Sequence, residues 1–119
     1  MKISILGTFY EIIRMDYNDD PDFEKLHITG YCDGYTKKIV VGNMKTFPQW
    51  ESEKDDVLIQ EAEKETLRHE IVHAFLDESG LSDCSMRSDI PWAKNEEMVD
   101  WIAIQGDKIY KAWIRARAI

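Results

Sequence analysis

Residues 69–73 of this 119-residue chain read His-Glu-Ile-Val-His, and two of its three histidines lie in that pentapeptide. On an α-helix, positions i and i+4 sit one above the other, so His69 and His73 can each direct a ring nitrogen at one ion roughly 2.0 to 2.1 Å away. Glu70 is turned about 100° from His69. Its carboxylate then falls beside the ion, where it can take a proton from a water instead of ligating. Two ligating imidazoles and a carboxylate base at this spacing predict zinc-dependent hydrolysis, most simply of a peptide bond.

A zinc site needs a third protein ligand. Asp77 stands about 12 Å from His69 along an unbroken helix, too far to share one ion's shell. The pattern HExxHxxGxxH is also excluded, because Leu76 and Ser79 occupy the places of its glycine and last histidine. A second helix, capped by Asn95 and running to about Arg115, supplies Glu96 and Asp100 as an i, i+4 pair beside Val99 and Ala103. Glu97 falls with Lys108 and Lys111 on its polar side. Glu96 is therefore the expected third ligand, and Asp100 is placed to accept a hydrogen bond from a ligating imidazole, that of His69.

The pentapeptide itself requires a long helix, expected over about 53–78. Ser52, three residues before Asp55, resembles a capping box, and Gly80 supplies the stop. Leu58, Ala62, Val72 and Leu76 share a stripe with the two histidines, which predicts imidazoles turned into the protein. The first half reads as strand. Ile3 to Met15 is β-branched and aromatic, is interrupted by Gly7, and ends in an acidic turn from Asp16 to Asp22 around Pro21. Asp33-Gly34 predicts a type I′ hairpin between Lys25–Cys32 and Tyr35–Val41, pairing Ile28 with Ile39 and Leu26 with Val41 and placing Cys32 on the apolar face. The expected architecture is one α+β domain over 1–119. Its β-layer, 1–48, packs on the HExxH helix within a helical part, 53–119, that carries the metal site.

A hydrophobic content of 44% suffices for a core, and a net charge of −8 argues against nucleic acid or an anionic membrane as the main partner. Lys108, Lys111, Arg115 and Arg117 read as a solvated helix end that complements the dipole. No apolar run approaches the roughly 20 residues needed to span a bilayer, and the start MKISILGTFYEI lacks signal-peptide features, so a cytoplasmic location is expected. Cys32 and Cys84 form no CxxC pair and are expected as reduced thiols.

His69-Glu70-x-x-His73 followed by Asn95-Glu96-x-x-x-Asp100 resembles the thermolysin-type gluzincin pattern. In its small size, and in the glycine, turn and aliphatic strand from Gly30 to Val41, the chain is similar to the compact ImmA/IrrE-like metallopeptidases of bacteria and prophages. The resemblance implies a zincin-like fold, His69, His73 and Glu96 as zinc ligands, Glu70 as base, and a phage-type peptidase acting on a peptide or protein substrate. Candidates for stabilising the oxyanion are His27, Tyr31, Tyr35 and Arg87. The strand at Lys37 to Val41 is a candidate edge for an extended substrate, and Ser82 to Lys94 for a cleft wall. Two other readings compete. In one, the metal only staples a partner-binding domain and leaves Glu70 without a catalytic task. In the other, a metal-free acidic module makes its contacts through Trp50 or Trp92.

Overall fold

Leu6 and Gly7, at φ 50° and 91°, make the two-residue turn that joins β1 (Lys2–Ile5) to β2 (Thr8–Met15), with Ile5 opposite Thr8 and Ile3 opposite Tyr10. Positive φ at both central residues is the type I′ requirement, and its twist matches that of the strands. The computed structural model describes residues 1–84, 92–117 and 119; the expectations for Arg87, for residues 85–91 of the wall at Ser82 to Lys94 and for the side chain of Cys84 lie outside them.

Two further strands complete a four-stranded mixed sheet, β3 (Gly30–Asp33) and β4 (Lys38–Gly42), in the order β1-β2-β4-β3. β4 runs parallel to β2, with Ile12 beside Ile39, and antiparallel to β3, with Cys32 beside Ile39. The expected edge at Lys37 to Val41 is therefore wrong. β4 is interior, and β3 is the edge on that side of the sheet, because β4 pairs with β3 along one side and with β2 along the other.

The expected hairpin register is also displaced. Asp33 pairs with Lys38 and Gly30 with Val41. The Asp33 carboxylate accepts from the backbone N–H groups of Tyr35 and Thr36 and from the Thr36 hydroxyl, which stabilises a four-residue loop in place of a two-residue turn. Residues 25–28 are not strand at all. Pro21 opens a short helix, α1 (Pro21–Lys25), whose cap Asp20 accepts from Asp22 N–H at 3.0 Å. His27, at φ 52°, then turns the chain back toward β3.

Alternation along β4 sorts the core into two layers. Ile39 and Val41 join Ile5 and Tyr10 against Ala74, Leu67 and Ile71 of the long helix α2 (Asp56–Glu78). Val40, on the other face, is covered by Phe23 and Phe47, whose rings lie 5.0 Å apart. The N-cap of α2 is Asp55, accepting from Val57 and Leu58 N–H, so the expected start at Ser52 is corrected by three residues. Gly80 follows the helix at φ 80°. After α3 (Leu81–Cys84), Asn95 caps α4 (Glu96–Arg115) through Met98 N–H, and α4 packs against α2 with Val99 and Ala103 buried. Among the described residues no helix is long and apolar enough to cross a membrane.

Candidate metal centre

The core stripe of α2 consists of Ile59, Leu67, Ile71 and Ala74, while Leu58 is 47% exposed. The expectation that the imidazoles share the buried stripe is corrected. They sit beside it, half-buried, on the flank that faces β3 and α4 and lines an open cleft of about 1190 Å³. The apolar residues that share their stripe predicted imidazoles turned into the protein, but the covering sheet packs on Leu67, Ile71 and Ala74 instead.

On that flank the His69 and His73 Nε2 atoms are 3.0 Å apart. Glu96, the first residue of α4, brings Oε2 to 3.1 Å from His69 Nε2 and Oε1 to 3.3 Å from His73 Nε2. One turn on, Asp100 Oδ1 lies 2.6 Å from His69 Nδ1. A carboxylate accepts, so Nδ1–H donates and the neutral ring keeps a lone pair on Nε2. That lone pair faces a Glu96 oxygen, and two acceptors so close repel unless a proton or a metal cation lies between them. The edges of a tetrahedral shell with bonds of roughly 2.0 to 2.1 Å are about 3.3 Å long, close to the imidazole–imidazole separation and to the distance from each imidazole to its nearer Glu96 oxygen, so the three side chains are spaced as ligands of one such ion would be.

Glu70 approaches the same point from the core side, with Oε1 4.0 Å from His69 Nε2 and only 6% of the residue exposed. His69, Glu70 and His73 each present a donor atom within 4.8 Å of the others. Burial pushes the Glu70 carboxyl up to about 7, against the pull of His69 and with the help of the Glu96 and Asp100 charges. A divalent cation would act in the same direction as His69. Burial lowers His73 from its ordinary value, opposed by Glu96, and so favours the neutral imidazole that ligates metals.

Gly30 sets the depth of the cleft. A Cβ there would stand 2.6 Å from Thr66 Cγ2 and 3.4 Å from Glu70 Cγ, so only glycine lets β3 lie this close to α2. The sequence signal for this approach was the glycine at the head of an aliphatic strand. Asp77 borders the cleft one turn beyond His73, with the Cys32 thiol donating to it at 3.9 Å. Burial first, then the Asp77 and Glu70 charges, push that thiol up to about 12.

His27, Tyr31 and Tyr35 all border the cleft. Tyr31 donates its hydroxyl to Asp20 at 2.7 Å, however, and Tyr35 is 97% exposed. Arg87 lies outside the described residues. Of the expected wall at Ser82 to Lys94, Asp83 and Lys94 do line the cleft. Trp50 lines it too, and Trp92 is 49% exposed. Comparison with family models, curated proteins and solved structures found no match to this chain.

Proposed function

We propose that the chain is a zinc-dependent metallopeptidase of zincin-like fold, similar in kind to compact gluzincins. The observation that carries this reading is the convergence of His69 Nε2, His73 Nε2 and both Glu96 oxygens within 3.0 to 3.3 Å, with a buried carboxylate alongside. His69, His73 and Glu96 would hold the ion, and Asp100 fixes the tautomer and tilt of His69. When bound, zinc supplies Lewis acidity, which polarises a peptide carbonyl and acidifies water toward pKa of about 7.

The protein's own part is proton transfer and positioning. Glu70, buried beside the ligating imidazoles, accepts the proton of the attacking water and returns it to the leaving amine. The outer edge of β3 borders the cleft from Gly30 to Asp33, and its backbone N–H and C=O groups can pair with an extended peptide. A metal that merely stapled the helices would not need a buried carboxylate turned to the same opening.

The test is elemental analysis of protein purified without added metal or chelator, followed by cleavage of a peptide library. One zinc per chain is expected, lost in His73→Ala and kept in Glu70→Gln, with cleavage falling by orders of magnitude in the latter. Absence of zinc, with none taken up at micromolar concentration, overturns the reading.

A further inference from the structure

The last turn of α2 carries two carboxylates, Asp77 and Glu78, and no basic residue. This is the negative end of the helix dipole, where cations are favoured and anions are not. Glu78 is compensated by Lys37 at 2.7 Å and by the hydroxyls of Thr8 and Tyr10. Asp77 is not. It is half-buried, and its hydrogen-bond partner is the weak donor Cys32 Sγ. Among the described residues no cation lies within ion-pair distance of it. Gly34 leaves room for this carboxylate, since a Cβ there would stand 3.0 Å from Asp77 Oδ2.

Several of the other charges lining the cleft are engaged, while Glu65 lines it on the opposite side of the histidine pair along α2, and Asp83 and Lys94 line it from other elements. Asp33 is bound by the Tyr35 and Thr36 N–H groups, Lys37 by Glu78, and Glu96 and Asp100 by the histidines. Lys94 belongs to the turn that precedes α4. Asp77 thus faces the cleft about 6 Å along the helix axis from His73, a distance that the stem of one lysine or arginine side chain spans.

We propose that Asp77 is the specificity-determining residue of the cleft and that it receives the cationic side chain of a lysine or arginine adjacent to the bond held at the histidines. This rests on the metallopeptidase reading and adds the substrate class. Cation and carboxylate would form a charge-assisted pair, with Cys32 and Gly34 forming the wall around it. Both partners gain: the carboxylate acquires a counter-charge that no described residue supplies, and the substrate is fixed in register along β3.

The experiment measures binding as well as cleavage. Short peptides differing only in lysine, its uncharged isostere norleucine, or glutamate are titrated calorimetrically into zinc-supplemented Glu70→Gln protein. The lysine peptide is expected to bind about tenfold more tightly than the norleucine peptide. Asp77→Asn should reduce that ratio to within about twofold, and Asp77→Lys should transfer the preference to the glutamate peptide, a reversal that misfolding cannot produce. Equal affinities in the parent protein, no binding of the lysine peptide at millimolar concentration, or a preference that survives Asp77→Asn would each overturn the proposal. Zinc stoichiometry is read separately. A protein that binds one zinc without basic preference loses only this inference, whereas one that binds no zinc loses the metallopeptidase reading.

Discussion

His69 and Asp100 are joined across 2.6 Å between Nδ1 and Oδ1, a link from the middle of α2 to the second turn of α4. The bond fixes which nitrogen of His69 remains free to ligate. Asp100→Ala is expected to weaken zinc affinity by roughly 10 to 100-fold while leaving the stoichiometry at saturating zinc unchanged. Competition against a chromophoric chelator measures this; an unchanged affinity would show that the tautomer is set by something else.

Glu96 and its neighbour Glu97 provide an internal control. Both are exposed first-turn carboxylates of α4, but only Glu96 reaches the two imidazoles. Glu96→Ala should lose zinc at micromolar concentration, and Glu97→Ala should retain it. The reverse pattern, read by elemental analysis, would mean that α4 is rotated about its axis relative to this structure.

Gly30→Ala is expected to destabilise the fold by about 1 to 3 kcal/mol, the usual cost of overpacking, because Thr66 on α2 and the Val40 carbonyl leave no space for a methyl group. Thermal unfolding reads the loss. The same variant should disturb Glu70, whose Cγ is the next nearest atom. Zinc affinity should change less than cleavage.

The Glu78 carboxyl is held down to about 2, chiefly by its hydrogen bond with Lys37 and then by Thr8, with Tyr10 assisting against the cost of burial. A group whose folded pKa is depressed contributes stability above its ordinary value, 4.5, and loses that contribution as pH falls through about 2. Glu78→Gln should therefore be less stable than the parent protein at pH 7, with the gap closing between about pH 4.5 and pH 2. Denaturant midpoints for both proteins across that range measure it. A gap independent of pH would mean that the loss came from packing alone.

Much of the geometry of the candidate site was legible because its signals are local. The HExxH spacing, the Asn95 cap and the facing of Glu96 against Glu97 all lie within one or two turns of helix, where 3.6-residue periodicity decides which side chains share a face. The sheet was less legible. Asp33-Gly34 carries a strong hairpin signal, yet the side chain of Asp33 captures the next two N–H groups and lengthens the loop, which shifts the register. Pro21 reads as a breaker, although after the cap Asp20 it is the first residue of a helix. The pairing of β2 with β4 joins segments that are not consecutive, and no periodicity within either strand reveals that Lys38–Gly42 will be interior.

The division of the candidate donors between α2 and α4 would couple metal affinity to the docking of a whole helix. α4 is seated on α2 at Val99 and Ala103, and the rest of its length leaves Trp101, Ile104, Tyr110 and Ile114 largely exposed. A ligand that binds only the docked arrangement stabilises it by about 1.4 kcal/mol for each tenfold excess over its dissociation constant. Zinc would thus slow amide hydrogen exchange most in the first turns of α4, while chelation would loosen that helix and leave the protection of β2 and β4 almost unchanged.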